Sequence, residues 1–105
     1  MKNIKILLFE FSLTDNPFPA RKLIFRKEVE EIIPIGTEYL PFGNKLRSGI
    51  VTGPYTINEE KNEFIMVAVC EIPFEKYGPE EDEYIRKHMV EYGWSIFLDA
   101  VERRD

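Results

Sequence analysis

The sequence predicts an α+β fold: a small antiparallel sheet of four to five strands with a C-terminal amphipathic helix packed on it. An SH3-like barrel carrying the same helix is the alternative arrangement. Three observations lead there. Residues 49–57 and 63–72 read as two strands joined by the polar turn Asn58-Glu59-Glu60-Lys61-Asn62. Residues 4–13 alternate apolar and polar side chains at both ends. The last third opens on Gly78-Pro79, continues with Glu80, Glu81, Asp82 and Glu83, and then repeats apolar residues at helical spacing.

Each element follows from local patterning. Within residues 4–13 the alternation changes phase near Leu7 and Leu8, the mark of a strand with a bulge or a doubly buried centre. Thr14-Asp15-Asn16-Pro17-Phe18-Pro19 is a loop, because its prolines lack backbone donors and its polar residues favour turns. Residues 22–33 fit both periods: Phe25, Val29, Ile32 and Ile33 fall at helical spacing, while Leu23, Phe25, Val29 and Ile33 share a strand face. Their basic residues precede their acidic ones, against the helix dipole, which favours strand.

Residues 34–49 lack either period and form a long connection in which Thr37 to Leu40 can make a short strand, leaving Tyr39 and Phe42 near the surface. Pro54 puts the middle of the strand over residues 49–57 at an edge or a bulge. Phe64 to Cys70 is apolar on both faces and belongs in the centre of the sheet beneath a second layer. The helix that starts at Pro79 is expected to run on through Gly93, since Ile85, Met89, Tyr92, Ile96 and Ala100 form one stripe and Val90, Trp94, Phe97 and Val101 a second. The alternative is a stop at Tyr92 with residues 94–101 as a final strand, because glycine costs a helix interior about 1 kcal/mol and often sits just past a helix end.

The composition narrows the function. With 105 residues, 44% hydrophobic and 31% charged, one globular domain over residues 1–105 is expected. A net charge of −5 argues against broad electrostatic affinity for nucleic acid or anionic membranes. The one cysteine, Cys70, excludes an intrachain disulfide and fits a reducing, cytoplasmic setting. No apolar run approaches the roughly 20 residues of a membrane-spanning helix. Lys2 and Lys5 precede an apolar run, but Glu10 interrupts it and no small-residue cleavage site follows, so no export signal is expected.

No catalytic constellation emerges, and the chain is not expected to be an enzyme. His88, Glu91 and Asp99 share a face of the expected helix, yet Asp99 lies about 16 Å from His88 along it, too far for one metal centre. Cys70 ends an apolar run that makes a thiol inert. There is no Gly-x-Gly-x-x-Gly, no Gly-Lys-Ser/Thr and no Gly-x-Ser-x-Gly. No catalytic residue, metal or cofactor is assigned.

Charge is divided unevenly along the chain. Residues 1–58 carry eight basic and six acidic side chains, a net of +2, and residues 59–105 carry six and thirteen, a net of −7. Glu59, Glu60, Glu75, Glu80, Glu81, Asp82 and Glu83 are therefore read as an acidic rim beside the helix, which attracts a basic protein, while exposed aromatics supply affinity. Tyr39 and Phe42 are the first of those aromatics, with Phe74, Tyr77 and Trp94 as further anchors. In size and charge the chain is similar to small acidic inhibitors of nucleic-acid-binding enzymes, many of them encoded by phages, although no motif is shared.

The expected function is thus a protein-binding module, an inhibitor or adaptor of a basic or nucleic-acid-binding partner, of mobile-element or phage type. The alternative is a small β-barrel module that contacts nucleic acid through Arg21, Lys22, Arg26, Lys27, Lys45 and Arg47 among aromatic residues. Monomer and homodimer are both compatible with segments apolar on two sides.

Overall fold

The two most apolar segments pair with each other at the middle of the sheet. In the computed structural model, which describes residues 3–15 and 22–100, strand β1 (Ile4–Thr14) lies parallel to β5 (Glu63–Pro73), in register from Ile4 opposite Glu63 to Thr14 opposite Pro73. Antiparallel neighbours extend the sheet on both sides. β2 (Lys22–Val29) and then β6 (Ser95–Asp99) follow β1, while β4 (Gly49–Asn58) and the two-residue β3 (Glu38–Tyr39) follow β5. The order is β3-β4-β5-β1-β2-β6, a curled mixed sheet of six strands. One helix, α1 (Pro79–Glu91), completes the α+β fold among the described residues. It is too short to cross a membrane.

Alternation explains the two layers. Leu7, Phe9, Phe11 and Leu13 of β1, Leu23 and Phe25 of β2, and Met66, Ala68, Cys70 and Ile72 of β5 point to one face, where Phe42, Trp94 and α1 residues Ile85 and Met89 cover them. Phe9 packs its ring against Phe11, Tyr39 and Trp94 at centroid separations of 5.0, 6.4 and 5.9 Å. On the other face no helix packs among the described residues. Leu8, Ile24, Ile65, Val67 and Val69 are half-buried there between the ion pairs Lys22–Glu10 and Arg26–Glu63. Ile6 lies on this face and is only 2% exposed, so the centre of β1 is buried on both sides, and no register break is needed to explain its phase change.

The strand expected over residues 22–33 forms over Lys22–Val29, and the short strand expected at Thr37 to Leu40 forms at Glu38–Tyr39. Pro54 falls in a register shift of β4 between Thr52 and Thr56, where its missing N–H costs the ladder nothing. Of the loop after β1, only Thr14 and Asp15 belong to the described residues.

Two expectations are corrected. The sheet has six strands, with the β1–β5 pair parallel, because the segment between β1 and β5 places three antiparallel strands on both sides of that pair. The helix ends at Glu91 instead of running through Gly93. Gly93 takes the left-handed conformation, φ 88°. The Gly93 N–H bonds the Val90 carbonyl and the Trp94 N–H bonds the Met89 carbonyl, both at 3.0 Å, which together make a Schellman stop. Residues 95–99 then form β6 against β2, and the two apolar stripes end at the turn. Tyr92, Ile96 and Phe97 are exposed, whereas Trp94 is buried.

Candidate functional site

The start of α1 is built by capping and by ion pairs to two other elements. Pro79 fills the first helical position and Glu80, Glu81 and Asp82 the first turn, where their charge suits the dipole. The Tyr77 hydroxyl donates to Asp82 Oδ1. Arg86 Nε donates to the same carboxylate at 2.9 Å, and the two terminal nitrogens of Arg86 reach Asp99 of β6 at 2.8 and 3.1 Å. Hydrogen bonding to Asp99, and then to Asp82, raises the pKa of Arg86 above its ordinary value despite partial burial. Glu81 pairs with Arg47, which closes the short 3-10 turn Lys45–Arg47.

An open groove runs beside this corner, lined by Asn44, Leu46, Arg47, Glu75, Lys76, Gly78, Pro79, Glu80, Glu81 and Tyr84. Leu46 is 79% exposed at its edge. Asn44 caps the 3-10 turn through Leu46 N–H and donates to the Tyr84 hydroxyl at 3.0 Å, which fixes the turn against the helix.

The predicted acidic residues do not share one rim. Glu59 and Glu60 sit in the β4–β5 turn, whereas Glu75 and Glu80 to Glu83 follow the opposite end of β5. β5 has 11 residues, so at about 3.3 Å per residue the two groups are roughly 33 Å apart. At the helix corner Glu75, Glu80 and Glu83 are exposed, while Glu81 and Asp82 are half-buried in their ion pairs. Phe42 is a core residue, 5% exposed, in contact with the Tyr84, His88 and Tyr92 rings. Tyr39 is half-buried against Phe9 and Trp94, and burial raises its pKa above 10.0. The loop from 34 to 49 therefore presents Leu46 to solvent, and its aromatics turn inward. Trp94 is likewise a core residue, its indole N–H bonded to the Pro41 carbonyl at 3.1 Å, and Phe74 and Tyr77 are half-buried.

The basic residues are dispersed. Lys22 and Arg26 lie on the face away from the helix, paired with Glu10 and Glu63. Lys27, on the other face, donates to the Tyr92 carbonyl at 2.8 Å and lies over the Trp94 ring. Arg47 is engaged by Glu81, Lys45 is exposed on the same 3-10 turn, and Arg21 lies outside the described residues.

His88 leaves the polar face on which helical spacing puts it. Its Nδ1 lies 2.8 Å from the Tyr84 carbonyl and its ring packs on Tyr84 and Phe42. Asp99 is carried away on β6. Among the described residues no group of three or more His, Cys, Asp or Glu is placed to hold a metal. Cys70 is buried, and burial pushes its thiol above the ordinary value of 9.0, with Arg47 offsetting part of the rise.

Sequence reasoning missed Leu46, the links of Tyr77 and Asp99 to the i, i+4 pair Asp82–Arg86, and the exposed run Ile96-Phe97-Leu98. The last had a signal: a β-branched and aromatic run just after a glycine at a helix end. No protein-family model, no curated protein and no solved structure matches this chain.

Proposed function

We propose that the chain is a non-enzymatic protein-binding module that receives a basic partner at the groove beside the start of α1. The observation that carries this reading is the exposed Leu46 at a groove edged by the exposed carboxylates of Glu75 and Glu80, with Glu83 one turn on. A leucine of this exposure supplies apolar contact, and the carboxylates raise the association rate and select against acidic partners. Lys76 in the same groove offers one opposing charge, which sets the register of a basic segment. An inhibitor or adaptor of a nucleic-acid-binding protein, of the phage type, is the finer form of this reading. The buried thiol of Cys70 supports a cytoplasmic setting. Direct nucleic-acid contact draws on less, because Lys22, Arg26 and Arg47 are occupied by carboxylates and sit on different faces.

A synthetic peptide alternating leucine with arginine, titrated into the labelled protein, tests the reading. Amide shifts are expected to concentrate at Leu46, Glu75, Glu80 and Glu83, to shrink as salt rises, and to weaken strongly in a neutral Leu46→Ser variant. Shifts spread evenly over the sheet, or unchanged by Leu46→Ser, sink it.

A further inference from the structure

The face of the sheet on which no helix packs among the described residues is patterned for a second layer. A sheet wetted on one side alternates apolar with polar residues, whereas strands covered on both sides are apolar throughout. The pairing registers bring Ile6 and Leu8 of β1, Ile65 and Val67 of β5, Ile24 of β2 and Ile50 of β4 together on that face. Ile50 is 47% exposed, and Leu8, Ile24, Ile65 and Val67 are half-buried. The charges around them are held down within the chain. Lys22 pairs with Glu10 at 3.4 Å, and Arg26 pairs with Glu63 at 2.9 Å. Arg26 stands opposite Leu8 and Glu63 opposite Ile4, so their bridge crosses β1 over Ile6, which is 2% exposed.

We infer that this face stacks on the same face of a second copy of the chain, about a two-fold axis running along the strands between β1 and β5. Sheets packed face to face lie about 10 Å apart with their strands nearly aligned, as that axis requires. It sets Val67 over Leu8 of the partner subunit, Ile65 over the partner's Ile6 and Ile50 over the partner's Ile24. Charged residues then meet uncharged ones. Glu63 lies over the partner's Ile4, Glu71 over the partner's Ser12, Arg26 over the partner's Thr52, and Glu10, already paired with Lys22, over the partner's Val69. An axis across the strands at Val67 would instead oppose Glu71 and Glu63, two like charges. The face thus matches itself in one register, which favours a second copy over an unrelated protein. Four strands at about 4.8 Å and about eight residues at about 3.3 Å each make roughly 500 Å² per copy and 1,000 Å² in all, the lower limit of a specific interface. The dimer is therefore weak and reversible. Each copy carries −5, so added salt tightens the association by screening. That salt dependence is opposite in sign to the one expected for a basic partner at Leu46, and the two readings stand or fall separately.

Sedimentation of the full chain from micromolar to millimolar concentration reads the result. A monomer–dimer equilibrium that shifts toward dimer with salt is expected. Val67→Lys, which sets an unpaired ammonium at the centre of the stacked face, is expected to leave only monomer. Ile50→Lys, at the exposed margin of the face, is expected to raise the dissociation constant at least tenfold, and Leu46→Ser, in the groove, to leave it unchanged. Methyl resonances of the unmodified chain provide a readout independent of any variant: those of Leu8, Ile24, Ile65 and Val67 should shift with concentration, and that of Val90 on the helix should not. A chain that stays monomeric to millimolar concentration, a dimer that survives Val67→Lys in a folded protein, or face methyls that ignore concentration and respond instead to phosphatidylcholine vesicles would overturn the inference.

Discussion

Tyr77 shows how one half-buried contact ties stability to pH. Burial, and then the neighbouring Asp82 carboxylate, raise its phenol above the ordinary 10.0. Below about pH 10 both folded and unfolded chains hold this proton, so the contact contributes in full. Above it the unfolded chain releases a proton that the folded chain keeps, and stability falls as pH rises. Cys70, raised above 9.0 by burial, acts in the same direction from a lower pH. Urea unfolding followed from neutral pH upward should therefore show stability declining above about pH 9 and more steeply above 10. Tyr77→Phe should cost about 1 kcal/mol at neutral pH and flatten the steeper part. An unchanged alkaline slope in that variant would assign the effect to another group. A second residue-scale prediction concerns Gly49. A methyl group there would lie 2.8 and 2.9 Å from the Phe9 ring and 3.1 Å from the Val69 backbone, and Phe9 is held by three other rings. Gly49→Ala should lose about 1 to 3 kcal/mol in thermal denaturation, although its sequence context, an aperiodic stretch with three glycines, marks none of them as the tight one.

At the scale of elements, the α1–β6 junction decides what the last third of the chain becomes. The stripes of apolar residues pass through Gly93 in helical register, yet the left-handed glycine and its two backbone bonds stop the helix. Burial of Trp94 on the helical side of the sheet then sends residues 95–99 along β2. Periodicity could not separate these outcomes, because the competing term is tertiary: Trp94 reaches the Pro41 carbonyl and the Phe9 ring, both distant in sequence. The hairpin, the proline-led helix start and the doubly apolar β5 were legible because their signals are local. The candidate site was legible only in part. Glu75, Glu80 and Glu83 are exposed as expected, whereas Phe42 and Trp94 were absorbed by the core, where they cover the sheet beside Ile85 and Met89. Gly93→Ala should cost about 1 to 2 kcal/mol, since alanine pays the left-handed penalty while its Cβ meets only the Lys27 side chain at 3.7 Å. A cost near zero in chemical denaturation would show that the turn readily finds another conformation.

For the molecule as a whole, the parallel β1–β5 pair sets where stability resides. Both strands are hydrogen-bonded on two sides and run 11 residues, and their alternate residues fill the core. β6 has 5 residues, ends the sheet among the described residues, and is tied to the helix by the Arg86–Asp99 contact. Exchange through opening of this outer layer should therefore cost much less than global unfolding. Native-state hydrogen exchange at low protein concentration should find the amides of Phe9, Phe11, Met66 and Ala68 slowest and those of β6 fastest among the strands. Arg86→Gln removes the charged link from β6 to α1 while keeping a hydrogen-bonding side chain. It should speed exchange in β6 and the last turn of α1 by a factor of about 10, corresponding to roughly 1.4 kcal/mol, and leave β1 and β5 nearly unchanged. Uniform acceleration across all six strands would instead mean that Arg86 stabilises the global fold and that β6 does not open by itself.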